Sequence, residues 1–229
     1  MIFNLALVIF TWIALRLEKK DLDVLGLRPV PERFVQLVLG LSLTIALSIF
    51  VNLLFSQSAN FEWVRNPHFN VYQIPSATYR TFNSVVFEEL IFRAYALYKL
   101  NKLFREKVAV FSTSIAFGIY HWFTMGALGN FAMMIWVFFY TGLWGAMFAY
   151  CFTRTGTVLL GTGLHWGWNF LEQVVFVKQG EGLLKPLTST QTQYLNLTAG
   201  IIVTTLPPIL FAVAVILFLV KRNPVRIQE

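Results

Sequence analysis

The sequence predicts an all-α, polytopic transmembrane helical bundle. Hydrophobic residues make up 57% of the 229 residues and charged residues only 13%, whereas a soluble domain carries about 25% charged residues. The mean hydropathy is +0.64, and the 23 Phe and 7 Trp residues exceed what one soluble core can bury. This composition excludes a soluble globular enzyme, a disordered chain and a disulfide scaffold, the last because Cys151 is the sole cysteine.

Apolar runs predict about seven spans within a single integral membrane domain over residues 1–229. A helix needs roughly 17–25 apolar residues to cross the hydrocarbon core. The first run is short, and Pro207-Pro208 should kink the last, because proline nitrogens donate no hydrogen bond. The predicted spans are 2–15, 35–55, 81–100, 108–125, 131–152, 157–177 and 197–220.

The basic residues predict how these spans are oriented. A net charge of +7 would suggest a nucleic-acid partner for a soluble protein, but positive-inside loops explain it here, so no nucleic-acid partner is expected. Most basic loop residues lie between spans one and two, three and four, and five and six, and after span seven. We therefore expect the N-terminus outside, the C-terminus in the cytoplasm, and the polar, aromatic-rich segment 56–80 outside.

Polar and ionisable residues concentrate in three of the spans. A charged side chain there costs about 2.5–3.5 kcal/mol on insertion scales and normally faces the protein interior. At about 1.5 Å per residue along a helix, Glu88, His121 and Asn169 lie at matching depths in the membrane, somewhat nearer its outer side. We therefore predict that they converge on one buried polar site. The residues are Glu88, Glu89 and Arg93 in span three, His121 in span four, and His165, Asn169 and Glu172 in span six.

In span three, helical spacing separates two roles. Glu89 and Arg93 are four residues apart, so they share a helix face and can form an ion pair. Taken alone, such a pair is more often structural than functional. Glu88 lies about 100° around the helix from Glu89 and is free to face another partner.

In span six, His165, Asn169 and Glu172 form one polar stripe at positions i, i+4 and i+7. For Glu172 we favour the simpler interpretation that it reaches the outer membrane interface. Gly163 and Gly167 are also four apart, which would permit close approach of another helix.

The predicted site has the groups needed for hydrolysis. A buried carboxylate beside a neutral histidine can deprotonate a water, and a second histidine with an asparagine amide can stabilise an oxyanion. A serine mechanism has weaker support, because G-x-S-x-G is absent and Ser84 is the nearest hydroxyl. Zinc stays open, since two histidines and a glutamate are acceptable ligands. However, H-E-x-x-H is absent and Arg93 would repel a cation.

The three motifs together resemble the signature of the CAAX-protease and bacteriocin-processing (Abi) family of intramembrane proteases. That signature is E-E-x-x-x-R on one helix, F-x-x-x-H on the next, and H-x-x-x-N/B further along. The motif-bearing protease core would cover about residues 80–180. The positions that carry the resemblance are Glu88, Glu89 and Arg93, then Phe117 and His121, then His165 and Asn169.

The resemblance implies a glutamate-dependent endopeptidase with a four-helix catalytic core. It implies that an activated water hydrolyses the peptide bond and that no cofactor is needed, the zinc version being disfavoured. The implied roles are water activation by Glu88 with His121, oxyanion stabilisation by His165 and Asn169, and support of the site by Glu89 and Arg93.

The resemblance also implies partners and a location. The substrate would be a membrane-associated peptide or a lipidated protein, and the bilayer would surround the chain. The CAAX relatives cleave prenylated proteins, whereas bacterial members are linked to peptide maturation, bacteriocin self-immunity and regulation. The short chain resembles the bacterial members, so a bacterial plasma membrane is expected.

Two functions of other classes stay open. A non-catalytic immunity or scaffold protein would use the same fold to bind a partner. A proton-coupled transporter also uses buried glutamates and histidines, but paired broken spans would be typical of it. Here only the span with Pro207-Pro208 looks broken from the sequence.

Overall fold

The computed structural model describes residues 2–27, 30–177, 182–188 and 197–224. A π-helical turn, Leu171–Val175, continues α7, and 3₁₀ turns lie at Leu22–Leu25 and Val71–Gln73. The strands are β1 (Phe61–Arg65) and β2 (Leu184–Thr188). The helices are α1 (Ile2–Leu17), α2 (Pro31–Ala59), α3 (Ile74–Phe92), α4 (Tyr95–Leu103), α5 (Glu106–Thr124), α6 (Phe131–Thr155), α7 (Leu159–Phe170) and α8 (Leu197–Val220).

The predominantly helical fold is confirmed, and three helical segments are long and apolar enough to cross a membrane: Pro31–Ala59, Phe131–Thr155 and Gly200–Val220. α1 is a shorter apolar helix. Large hydrophobic side chains are exposed along these helices, Phe50 on α2 and Phe139 on α6 among them. Such exposed apolar surface suits contact with lipid. The count of seven spans stays a prediction.

A two-stranded antiparallel sheet was not predicted. β1 pairs with β2, so that Phe61 lies opposite Thr188 and Arg65 opposite Leu184. Trp63 of β1 donates from Nε1 to the Asn52 carbonyl at 3.0 Å, which attaches the sheet to the end of α2. The sheet therefore joins the α2–α3 connection to the α7–α8 connection at one end of the bundle.

Predicted span three is not continuous. α3 ends at Phe92 and α4 begins at Tyr95, because Ala94 has a ψ of −112°, which no helix accommodates. The side chain of Arg93 enters the interior, where it is 1% exposed. The Tyr95 hydroxyl binds Glu18 at 2.7 Å on the other side of the break. The prediction of one helix over 81–100 is wrong, because contacts on both sides of residue 94 redirect the chain.

The helix continues through the paired prolines. Pro207 and Pro208 lie inside α8, which runs as one helix from Leu197 to Val220. The kink at this position stays a prediction. Among the described helices, the interrupted span is the one formed by α3 and α4. No proline or glycine lies at its break.

Helices α2 and α7 approach each other closely through glycines, as Gly163 and Gly167 predicted. A Cβ at Gly163 would lie 2.3 Å from the Leu37 carbonyl oxygen, and one at Gly40 would lie 2.6 Å from the Leu160 carbonyl oxygen. Neither backbone can move aside without separating the helices. This contact holds α7, and with it the polar stripe, firmly against α2.

Glu18 ties together the basic end of the bundle. It follows α1 and accepts hydrogen bonds from the Tyr95 hydroxyl, from Lys99, and from Lys102 at 3.1 Å. The hydrogen bond from Lys99, and next that from Tyr95, lowers the pKa of Glu18 from its usual 4.5 to about 2. The carboxylate is therefore ionised at neutral pH and joins the α1–α2 connection to α4.

A second ion pair closes the same end. Arg154 lies in the last turn of α6 and Glu106 in the first turn of α5. Nε of Arg154 donates to Oε1 of Glu106 at 2.7 Å. Its guanidinium also reaches the Arg222 carbonyl that follows α8. The connections predicted to share one side of the membrane thus meet at one end, and the sheet lies at the other.

We predict that Gly163→Ala lowers the stability of the bundle by about 1–3 kcal/mol, the usual cost of overpacking. The added methyl group has only the α2 backbone to contact. The measurement is thermal unfolding of the purified protein in detergent.

Gly142→Ala on α6 is the matched control, because a Cβ there would meet only the Ser114 carbonyl oxygen at an ordinary 3.5 Å. Equal unfolding temperatures for the wild type and Gly163→Ala would contradict the close packing of α2 on α7.

Candidate active site

The four residues predicted to act catalytically line one cavity of about 400 Å³. Glu88 comes from α3, His121 from α5, and His165 and Asn169 from α7, while α6 supplies most of the facing wall. Glu89 and Arg93 do not line it and lie behind the histidines. The cavity-lining residues are Ser84, Glu88, Phe117, Tyr120, His121, Thr124, Met125, Tyr140, Thr141, Trp144, Phe148, His165, Trp168, Asn169, Glu172 and Gln173.

Glu88 points one carboxylate oxygen at two histidines. Its Oε2 lies 3.6 Å from Nε2 of His165 and 3.8 Å from Nε2 of His121, and it has no hydrogen-bond partner among the described residues. Both separations are too long for a direct hydrogen bond. A water placed about 2.8 Å from Oε2 and from either nitrogen fits between them.

The hydrogen bond to its own helix selects the tautomer of His121. Nδ1 lies 2.8 Å from the Phe117 carbonyl oxygen, one turn earlier on α5. A carbonyl only accepts, so Nδ1 carries the hydrogen and Nε2 of the neutral ring keeps its lone pair. His121 and ionised Glu88 therefore both present acceptors to the space between them. A water, which has two hydrogens to donate, suits that space.

His165 is held by a carboxylate and by an aromatic ring. Its Nδ1 lies 2.9 Å from Oε1 of Glu89, and its ring stacks on Phe148 with centroids 4.7 Å apart. The same geometry leaves Nε2 facing Glu88. While Nδ1 donates to ionised Glu89, Nε2 of a neutral ring is an acceptor, and it donates only when the ring carries both hydrogens.

The predicted ion pair between Glu89 and Arg93 is present. Arg93 Nη1 lies 3.6 Å from Glu89 Oε1, and Nη2 donates to the Gly145 carbonyl at 3.4 Å. The guanidinium centre also lies 4.0 Å from the ring centre of Phe117, a cation–π contact in a dry environment. Arg93 thereby links α3, α5 and α6 behind the site without contacting the cavity.

Gly145 provides the space for this guanidinium. A Cβ at Gly145 would lie 3.1 Å from the Phe117 ring and 3.4 Å from Arg93 Nη2. A side chain at this position of α6 would therefore compete with the arginine for the same volume.

Asn169 and Ser84 both line the cavity, with different implications. In the described part of the chain the side-chain amide of Asn169 makes no hydrogen bond, so it is available to a bound group. Among the described residues the Ser84 hydroxyl makes no hydrogen bond to a histidine or a glutamate, so none of them activates it as a nucleophile.

Across the described residues, no group of three or more His, Cys, Asp or Glu is arranged to hold a metal ion.

The interpretation favoured from the sequence was that Glu172 simply reaches the membrane interface. The structure instead gives this residue specific partners. It lines the cavity, and its Oε1 accepts hydrogen bonds from Ser48 Oγ at 2.6 Å and from Asn52 Nδ2 at 2.7 Å. Both donors lie on α2 and are fully buried. The close packing of α2 on α7 explains the difference, since it brings two polar residues against the end of the stripe.

The contribution of α6 to the site was not predicted. Trp144, Phe148 and Tyr140 of that helix form part of the cavity wall, and Gly145 borders Arg93. Predicted span five contains many aromatic residues, and nothing in their type distinguishes those that face lipid from those that face a site.

Comparison with known proteins supports the resemblance found in the motifs. Residues 70–171 match the family model of type II CAAX prenyl endopeptidase Rce1-like proteins, and this range contains Glu88, His121, His165 and Asn169. The apolar helices indicate an integral membrane protein, and the matched segment is similar to the CAAX-type endopeptidases. No curated protein and no solved structure matches the chain.

Proposed function

We propose that this chain is an intramembrane endopeptidase in which Glu88 activates a water to hydrolyse a peptide bond of a membrane-associated protein or peptide. One observation carries the proposal: a buried oxygen of Glu88 faces the Nε2 atoms of His121 and His165 at 3.8 and 3.6 Å within a cavity. The match to an endopeptidase family supports the reaction class.

In the proposed reaction, a water lies between Glu88 and His121. One O–H donates to Oε2 of Glu88 and the other to Nε2 of His121. As the water oxygen attacks the substrate carbonyl, Glu88 takes its proton. The protonated carboxyl then gives that proton to the leaving amine when the C–N bond breaks, so the base is restored and no covalent intermediate forms.

The oxyanion of the tetrahedral intermediate needs hydrogen-bond donors at the former carbonyl oxygen. The free amide of Asn169 and Nε2 of protonated His165 supply them in this proposal. Glu89 acts as a positioning residue, because its hydrogen bond to Nδ1 sets the orientation of His165. Arg93 offsets the charge of Glu89, so that two neighbouring carboxylates are tolerated in the interior.

The cavity suits a short extended segment of a substrate. Ligand sites typically measure about 300–1,000 Å³, and this one has a volume of about 400 Å³ with several aromatic side chains in its wall. A few residues of an unfolded peptide fit such a space, whereas a folded domain does not.

We predict that Glu88→Gln lowers kcat by about 100- to 10,000-fold, the usual contribution of a general base. The substitution keeps the shape of the side chain and removes its ability to take a proton. The assay uses purified protein in lipid nanodiscs with quenched-fluorescent peptides, and thermal unfolding shows that the variant is folded.

Glu62→Gln is the matched control, because Glu62 is exposed on β1 and does not line the cavity. Full activity of Glu88→Gln would refute the assignment of the base. Loss of wild-type activity with a chelator, restored by zinc, would replace the unassisted water with a metal-bound one. A cellular phenotype that Glu88→Gln and His121→Ala both retain would favour a non-catalytic partner protein.

The proposal includes an orientation in a bacterial plasma membrane, with the N-terminus outside and the basic end in the cytoplasm. Its support is the clustering of the basic connections at one end, through Glu18 and Arg154, with the sheet at the other. The cavity reaches Thr124 at the end of α5 and Gln173 beyond α7, both on the side of the sheet. In this orientation the cavity opens away from the cytoplasm.

Thiol labelling in intact cells checks this orientation. Cys151 is fully buried, so it should contribute little background. We expect a membrane-impermeant maleimide to label Glu62→Cys at the sheet end and to leave Lys107→Cys at the basic end unlabelled until the membrane is permeabilised. Labelling of Lys107→Cys alone in intact cells would reverse the orientation.

A further inference from the structure

The cavity contains a second carboxylate that the proposed reaction does not use. Glu172 lies in the π-helical turn after α7, and its Oε1 is held by Ser48 and Asn52. Two short hydrogen bonds from a neighbouring helix fix the position of this carboxylate, although it is only half-buried. π-Helical turns within helices frequently occur at functional sites.

Among the residues that the structure describes, no lysine or arginine is paired with this carboxylate. The described residues that line the cavity include no lysine or arginine. Ser48 and Asn52 are neutral donors, so these described partners solvate the negative charge of Glu172 without compensating it. The cavity therefore attracts a cationic group and repels an anionic one.

Aromatic rings complete the surroundings. Tyr140, Trp144 and Trp168 line the same cavity, and the ring centres of Trp144 and Trp168 lie 5.1 Å apart. The faces of tryptophan and tyrosine rings bind ammonium and guanidinium groups. A fixed carboxylate and aromatic rings that line one cavity can together bind a cation.

We propose that Glu172, with Tyr140, Trp144 and Trp168, forms a specificity subsite for a positively charged group of the substrate. The ligand is an ammonium or guanidinium group, from a basic side chain or a free N-terminus. This inference rests on the proposed function and adds to it the charge of the residue that the enzyme selects.

The position of the subsite follows from the helix. Glu172 is seven residues beyond His165, which corresponds to about 10 Å along the axis at 1.5 Å per residue. An extended peptide covers that distance in about three residues. Asn169, the other proposed oxyanion donor, is only three residues from Glu172, so the selected cation lies within about three residues of the scissile bond.

This subsite disfavours a C-a-a-X tail as the substrate. In such a tail the free carboxylate lies three residues beyond the cysteine, which would bring it near Glu172 if the bond after the cysteine were cut. Two carboxylates at that distance repel each other. A peptide with a lysine or arginine at the corresponding position suits the cavity instead.

The test uses full-length protein in lipid nanodiscs and quenched-fluorescent peptides with one apolar core sequence. Lysine, norleucine or glutamate is placed at each position in turn, with both peptide ends blocked, and mass spectrometry locates the cleaved bond. We expect lysine at one position within about three residues of that bond to lower KM by about tenfold relative to norleucine, the effect of one hydrogen bond to a charged group. Glutamate there should raise KM.

Variants assign the effect to Glu172. Glu172→Gln retains a side-chain oxygen for Ser48 and Asn52 but should erase the difference between lysine and norleucine peptides. Glu172→Lys should reverse the preference in favour of glutamate. Glu62→Gln, the exposed control, should keep the wild-type ratio of KM values. Peptides with a free N-terminus distinguish an α-ammonium from a basic side chain as the preferred ligand.

A lysine preference that survives in Glu172→Gln would overturn the subsite and leave the peptidase proposal standing. If no peptide is cleaved, the peptidase proposal fails and binding decides the subsite separately. A dinitrophenyl peptide quenches the fluorescence of Trp144 and Trp168 on binding. Lysine peptides that bind the wild type about tenfold more tightly than Glu172→Gln would support the subsite, and equal affinities would contradict it.

Discussion

The buried carboxylate of Glu89 is the group on which the geometry of the site depends. It is 5% exposed and lies between two partners, Arg93 at 3.6 Å and Nδ1 of His165 at 2.9 Å. A buried charge is tolerated only where partners and hydrogen bonds replace water, and removing one partner costs about 3–5 kcal/mol. Glu89 thus connects the helix break after α3 to the orientation of the histidine on α7.

The order of charges through the interior follows from this arrangement. Arg93 lies deepest, among phenylalanine rings, with Glu89 next and His165 beyond it. Glu88 faces the far side of His165 and the cavity. Adjacent residues on α3 thereby have different surroundings, one carboxylate binding structural partners and the other left free for a water. The neighbouring glutamates of the motif are not interchangeable.

The sequence was sufficient to predict which polar residues converge, because helical spacing and depth limit where Glu88, His121, His165 and Asn169 can meet. It was not sufficient to predict how the chain turns between α3 and α4. That break contains no glycine or proline and depends on contacts of Arg93 and Tyr95 with distant residues. The roles of the catalytic candidates stay predictions.

The β-sheet and the partners of Glu172 were not predicted for the same reason, because both depend on contacts between distant parts of the chain. Strands β1 and β2 are five residues each and lie far apart in the chain, so neither has a local signal strong enough to predict their pairing. The partners of Glu172 lie on α2, in a span whose hydrophobicity conceals Ser48 and Asn52. By contrast, the close approach at Gly163 was predictable, since small residues four apart have one common use in membrane helices.

The tautomers of the histidines test the account most directly. The chain has three histidines, so ¹⁵N NMR of histidine-labelled protein in nanodiscs can resolve His121 and His165 against His68. The account predicts a neutral His121 with its hydrogen on Nδ1, bonded to the Phe117 carbonyl, and a hydrogen on Nδ1 of His165, bonded to Glu89. A neutral His121 with its hydrogen on Nε2 would contradict it, because that nitrogen could then no longer accept from a water beside Glu88.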